Sequence, residues 1–174
     1  MKIIPTGWRL PTIDDIDTLI AICGGYSQAG AYLKEAGTTH WSSPNTGANN
    51  NSGFTSVPSG LYNPTTNAIE VLTQLAAYWL LENDIDGGVY FLELYYNGTN
   101  AVKGYRSNSY GHAVRCIRAD GNSNTYAVDG DGNIYQSVFI GPQRWLTQDL
   151  HTTRFNDGTL IDTDFYKRYY KQLY

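Results

Sequence analysis

Helical spacing in this chain ends before Gly37, and every regular pattern after it is that of a short strand bounded by turn residues. Helices first and many short strands later point to an α+β domain. Thr12 can cap the first helix, with Asp15 at the acidic position of a capping box. Ile13, Ile16, Leu19, Ile20 and Cys23 then repeat along one face, and Gly24-Gly25 ends the helix. A shorter helix is expected over Gln28 to Glu35, stopping at Gly37.

The stretch from His40 to Asn67 is turn chemistry, with Ser42-Ser43-Pro44-Asn45-Thr46-Gly47-Ala48-Asn49-Asn50-Asn51-Ser52-Gly53 at its centre. It is long for a structureless loop inside a compact domain, which points to a function or a specific packed conformation. Trp41, Phe54, Val57 and Leu61 are expected to pin it to the core. Strands are expected over Tyr78 to Leu81, Val89 to Tyr95, Ala101 to Tyr105, Ala113 to Arg118, Ile134 to Ile140 and Gln143 to Leu146. Asn97-Gly98 and Ser107-Asn108 are the turns between the earlier ones, and Gly121-Asn122-Ser123-Asn124 is a hinge or hairpin loop. Asp164 to Tyr174, rich in Tyr and Lys, reads as a short helix or strand.

The length of 174 residues suits one domain with a real core, or a small domain plus an extension. Charged residues are 16% of the chain, well below the ~25% of an average globular protein. Polarity comes instead from Asn, Thr, Ser, Gly and fifteen Tyr. Tyr and Trp rings cover area at low entropic cost and keep a polar tip, which suits ligand contact by stacking and hydrogen bonding. The competing reading is that they fill sheet faces. With a net charge of −4 and no basic run, no nucleic-acid partner is expected. No apolar run approaches the ~18 residues of a membrane span, so no membrane partner is expected either. Met1 to Pro5 lead into a Gly-Trp turn without an apolar region, unlike a secretory precursor. Cys23 and Cys116 are too few for a disulfide scaffold; a pair between them is geometrically possible but not indicated.

Several separated motifs carry a family likeness. They are Gly7-Trp8-Arg9-Leu10-Pro11-Thr12, Ala29-Gly30-Ala31-Tyr32-Leu33-Lys34, Trp41 to Ala48, Ser52-Gly53-Phe54, and Ser109-Tyr110-Gly111-His112-Ala113-Val114-Arg115-Cys116-Ile117-Arg118. In this order they resemble the Fibrobacter succinogenes major paralogous domain, over roughly residues 5 to 119. The resemblance implies a C-type-lectin-like fold, with two short helices, a twisted antiparallel sheet and long loops. Asp131 to Tyr135, Ile140 to Leu146 and Asp149 to Thr159 resemble the start of the same domain, yet stand at its end. The chain therefore reads as one circularly permuted domain, 1–174. Residues 5–119 are the main segment, 129–161 the displaced N-terminal segment and 162–174 a tail. Adjacent termini permit such a permutation. Strand exchange with another chain is the alternative.

Two departures from the family pattern stand out. Ile4 occupies the position where the family carries a Cys that pairs with the counterpart of Cys116, so that disulfide is missing and Cys116 is expected to be a buried thiol. Trp79-Leu80-Leu81 replaces the family's Trp-Ser-Ser and makes that edge more apolar.

In C-type-lectin-like folds the region before the last strand carries the ligand face, which here is Tyr95, Tyr96, Asn97, Asn100, Tyr105, Arg106, Asn108 and Tyr110. Strand alternation would put half of these on each side. Asp129-Gly130-Asp131-Gly132-Asn133 starts like a calcium loop, but Ile134 and Ile140 stand where an EF-hand needs Gly and Glu. Glu82, Asp84 and Asp86 read as a solvated loop, with calcium as the alternative. The lectin sugar motifs Glu-Pro-Asn and Gln-Pro-Asp are absent, and no metal or cofactor is assigned. His40, His112 and His151 lie in no metal spacing, and His112 is expected to pack. No nucleophile-elbow or catalytic-Cys signature occurs.

The expected function is a non-catalytic binding or display module. Absence of the disulfide, of a leader and of the usual strand order together suggest a phage virion surface protein, a tail or head fibre assembled in the host cytoplasm. Its partners would be host cell-surface glycan or protein, other virion proteins and further copies of itself, with a trimer favoured. A fragment of a bacterial surface adhesin or lipoprotein is the alternative. An enzyme related to formylglycine-generating enzymes is a third reading; Cys23 and Cys116 look inert for it.

Overall fold

The structure, a computed structural model, describes residues 3–119, 121 and 123–161. Helix α1 (Ile13–Ile22) forms where the capping box was expected. Thr12 Oγ1 accepts from the Asp15 backbone N–H at 3.1 Å, and Asp15 Oδ2 accepts from the Thr12 N–H at 2.7 Å. Glu82 adds a further acceptor for the helix start, taking the Ile13 N–H at 3.0 Å. Helix α2 (Ala29–Leu33) is shorter than expected. It stops because Lys34 turns extended, bridges to Ser56 and buries its side chain.

Ten strands follow around the helices in the described residues: β1 (Trp8–Arg9), β2 (Leu61–Asn63), β3 (Ala68–Glu70), β4 (Leu75–Asn83), β5 (Val89–Tyr95), β6 (Ala101–Arg106), β7 (Ile117–Arg118), β8 (Tyr126–Val128), β9 (Ile134–Ile140) and β10 (Gln143–Leu146). They make a five-stranded sheet in the order β1-β7-β10-β9-β8, a three-stranded sheet β4-β5-β6 and the hairpin β2-β3. All ladders are antiparallel. The class is α+β.

Two departures from expectation have separate causes. Ala113 to Arg118 is extended, but only Ile117–Arg118 enters a ladder. Its first half runs beside β4, with Ala113 N–H donating to the Ala77 carbonyl and Trp79 N–H to the Ala113 carbonyl. The segment thus leaves one sheet and joins the other. In the Asn-rich region Trp41 and Phe54 are buried as expected, whereas Val57 and Leu61 are only half-buried. Alternation on β2 turns Tyr62 inward in place of Leu61. The expected Asp164–Tyr174 element lies outside the described residues.

The main core lies between the two sheets and the helices. Ile16, Leu19, Ile20 and Leu33 pack on Tyr78, Leu92 and Leu94 from one sheet and on Ile117, Ile140 and Trp145 from the other. A second core on the far side of the five-stranded sheet holds Trp8, Val114, Cys116, Tyr135, Leu146 and Leu150. The segment after Asp129 is therefore built into this chain's own sheet. Arg115 and Asp149 tie it to the rest: both are fully buried, with Nε to Oδ1 at 2.5 Å.

One end of the β4-β5-β6 sheet is clamped to α2. Lys34 Nζ donates to the carbonyls of Thr46, Tyr95 and Gly98 at 3.2, 3.0 and 2.8 Å. Burial pushes this amine down to about 8. Gly30 lets the β5–β6 turn approach: a Cβ there would stand 2.5 Å from the Asn100 carbonyl oxygen and 2.8 Å from that of Thr99. Both are backbone atoms. Gly30→Ala is therefore expected to destabilise by about 1–3 kcal/mol despite alanine's better helix propensity, as urea unfolding would show.

Candidate functional site

Alternation on β4-β5-β6 gives the sheet two unlike faces. Ala76, Tyr78, Leu80, Leu92 and Leu94 face the helices. The other face carries Trp79, Phe91, Glu93, Tyr95 and Arg106. After Arg106 the chain crosses this face through residues 107–112 and reaches the edge of β4 at Ala113. The crossing lays His112 flat on Trp79, with ring centroids 4.1 Å apart and an interplanar angle of 20°. Phe91 closes the stack at 5.4 Å from His112, and Gly104 leaves room for the Phe91 ring where a Cβ would stand 2.8 Å from it.

A buried carboxylate organises the cluster. Glu93 is 2% exposed. It accepts from Arg106 Nη1 at 2.6 Å and from the Tyr95 hydroxyl at 2.8 Å. Burial, then the bond to Glu93, pushes the Tyr95 phenol up to about 12. Arg106 also lies over the rings of Phe91 and Tyr110, at 4.4 and 5.4 Å from their centroids. Its Nη1 is 3.1 Å from His112 Nε2. A guanidinium only donates, so Nε2 is the acceptor and the ring proton sits on Nδ1. Burial, reinforced by the Arg106 charge, pushes His112 down to about 3 and keeps it neutral. His112 Nδ1 and Trp79 Nε1 are buried without a hydrogen-bond partner among the described residues. Beside this cluster Leu10, Trp79, Leu81, Val89 and Asn108 wall a cleft of about 270 Å³.

The ligand-face residues expected from the resemblance are thus divided. Tyr95, Arg106 and Tyr110 converge around Glu93, and Asn108 lines the adjoining cleft. Tyr105 points to the opposite face, where it meets Tyr90 at 6.0 Å. Tyr96 packs against the main core, and Asn97 and Asn100 stand exposed at the far turn. Trp79, Phe91, Glu93 and His112 belong to the cluster but were not among them. The available signal was Glu93 itself, a lone carboxylate inside the apolar run Val89–Tyr95 that demands a buried partner.

Other candidate chemistry is committed to structure. Asp129 Oδ1 accepts from the N–H groups of Asp131 and Asn133 at 2.9 and 3.0 Å, and Oδ2 from Asn133 Nδ2 and the Tyr135 hydroxyl. Asp131 is taken up by Thr152, Thr153 and Arg154. These oxygens shape a turn. Asp84 Oδ1 similarly accepts from the Asp86 and Gly88 N–H groups. His40 pairs with Glu35 at the surface, and His151 lies 5.0 Å from the Tyr135 ring. Both thiols are free and buried, in different cores. Burial pushes Cys23 up to about 11 and Cys116 further still, so neither thiolate is accessible near neutrality.

Comparison with known sequences decides the family. The model of the Fibrobacter succinogenes major domain matches residues 1–118. The chain belongs to that family. No curated protein and no solved structure matches it. The Fibrobacter succinogenes major domain match ends at Arg118, so it contains the whole Glu93 cluster. Strands β8, β9 and β10, the Asp129 turn and Asp149 lie beyond it. No helix among the described residues is long and apolar enough to cross a membrane.

Proposed function

We propose that this chain is a non-catalytic binding and display module on a C-type-lectin-like scaffold, circularly permuted so that residues 129–161 supply the family's first strands. The observation that carries the binding role is the Glu93–Arg106–His112–Trp79 cluster. It fixes Tyr95 and Tyr110 beside a cleft of about 270 Å³ edged by Asn108. An apolar cleft with one aromatic wall, Trp79, and the polar groups of Asn83 and Asn108 suits a small ligand or a sugar residue. The half-buried Arg106 and the buried aromatic groups hold the surface residues in place.

The setting we propose is a virion surface, with host cell-surface glycan or protein as ligand and a trimer as the assembly. Two reduced, buried thiols, and Ile4 at the family's Cys position, fit a fold made without disulfides in a reducing compartment.

Binding to a glycan array and to intact host cells tests the reading. The wild-type chain should bind at least one, and Tyr110→Ala or Asn108→Ala should weaken that binding by about tenfold, or ~1.4 kcal/mol. Blank results on both the array and the cells would end the receptor-binding form of the proposal.

A further inference from the structure

The second concentration of unusual side chains lies on the five-stranded sheet, away from the Glu93 cluster. The antiparallel register that pairs Trp145 with Ile117 sets Arg144 against Arg118 on neighbouring strands, and Arg144 in turn pairs with Phe139. Like charges directly opposite one another in a ladder oppose folding. Among the described residues, no carboxylate lies within ion-pair distance of either arginine. This is so although acidic residues outnumber basic ones, 16 to 12. Both guanidinium carbons sit over the Phe139 ring, Arg118 at 5.5 Å and Arg144 at 4.4 Å from its centroid. Arg144 Nε donates to Ser137 Oγ at 2.7 Å. Phe139 remains 54% exposed. The two arginines line a polar cleft of about 230 Å³ with Gln143 and the Arg9–Asp15 pair. Arg9 is paired with Asp15, so among the described residues Arg118 and Arg144 are the cleft's cations without an ion-pair partner.

We propose that Arg118, Arg144 and Phe139 form a site for an acidic sugar residue, a pyranose bearing a carboxylate. Two planar guanidiniums offer paired N–H groups to a carboxylate. The part of Phe139 that the arginines leave exposed supplies an apolar surface for the C–H face of the sugar, from which a bare anion gains nothing. The cleft is smaller than the ~300 Å³ lower bound of drug-sized pockets, which suits one charged residue of a longer chain. Arg118 is the last residue of the family match, while Phe139 and Arg144 lie beyond it. The site therefore exists only because the C-terminal strands join this chain's sheet.

The probes are a short oligoglucuronate, a neutral glucose oligomer of equal length, inorganic sulfate and an oligoglutamate peptide. They are read by calorimetry and by the Arg Nε–Hε NMR signals. Oligoglucuronate should bind saturably and shift the Arg118 and Arg144 signals, while the glucose oligomer does neither. Arg144→Gln, Arg118→Gln and Phe139→Ala should each weaken it by about tenfold without altering the melting temperature much. Tyr110→Ala should leave it unchanged, which separates this site from the Glu93 cluster. Sulfate or oligoglutamate binding as tightly as oligoglucuronate, or oligoglucuronate binding that survives both arginine variants, overturns the proposal.

Discussion

Asp149→Ala is expected to cost about 3–5 kcal/mol of folding stability, the usual penalty for leaving one partner of a buried ion pair uncompensated. Arg115 and Asp149 are each 1% exposed in their side chains. Arg115 also donates through Nη1 to the carbonyls of Phe54 and Leu146, at 2.6 and 3.1 Å. Its guanidinium lies 4.5 Å from the Phe54 ring centroid and 5.5 Å from that of Tyr78. Those contacts hold the cation in the interior, so it cannot retreat to water when the carboxylate is removed. Replacing both partners, Arg115→Met with Asp149→Leu, should recover most of the loss, because two apolar side chains carry no desolvation penalty. Urea unfolding with an unchanged m-value is the measurement. The pair joins the family-matched segment to the segment beyond it, so the same experiment bears on the permutation. If the C-terminal strands dock on their own chain, the loss is independent of protein concentration. A loss that grows on dilution would mean strand exchange between chains.

What the sequence disclosed follows from how local each signal was. Helix α1 was legible because both halves of its capping box lie within four residues and its apolar spacing is unbroken. Strands β5, β9 and β10 match their expected ranges, and β6 runs one residue further, to Arg106, because their bounding turns are explicit. Strand β4 runs from Leu75, longer than expected, since Ala76 and Ala77 have little strand propensity and are there because the core is tight. Strand β2 was hidden inside a region read as loop and β3 lies just past its end: three-residue strands show too little alternation to stand out. The candidate site was half legible for a related reason. Tyr95, Arg106 and Tyr110 were found through the resemblance. Their true organiser, Glu93, is defined by partners 13 residues away on β6 and by a crossing segment whose path no local pattern encodes. Lys34 and Arg115 are the same case, charges in apolar surroundings whose acceptors come from distant loops. A charge embedded in an apolar run signals a buried network before any partner is known.

His112 makes the second large effect, an acid sensitivity set by one ring. It is 2% exposed, stacked on Trp79 and bonded to Arg106, so the folded protein holds it neutral down to about pH 3. In the unfolded chain it takes up a proton near its ordinary value of 6.5. Between those values the unfolded state binds a proton that the folded state refuses, so stability rises with pH. The contribution is complete above pH 6.5 and is lost progressively as pH falls towards 3, on the order of 5 kcal/mol in all. Asp15, Asp17, Glu70 and Asp131 are also held low, by hydrogen bonds and, for the three aspartates, by Arg9, Lys103 and Arg154, but their contributions fade as pH falls through the ordinary carboxylate values of 3.8 and 4.5. The slope between about pH 5.5 and 6.5 therefore reports His112 above these carboxylates. His112→Gln keeps an acceptor for Arg106 and removes the titration, so it should flatten that slope while lowering stability at pH 7 by the lost stacking on Trp79. A His112→Gln protein with the parent's slope would mean that the ring is not held neutral, and that Arg106 is oriented by Glu93 alone. Because His112 braces Arg106 beneath Tyr110, acid should loosen the ligand face before it unfolds the helices. Loss of the Arg106 Nε–Hε NMR signal at a higher pH than the melting of α1 would show that order.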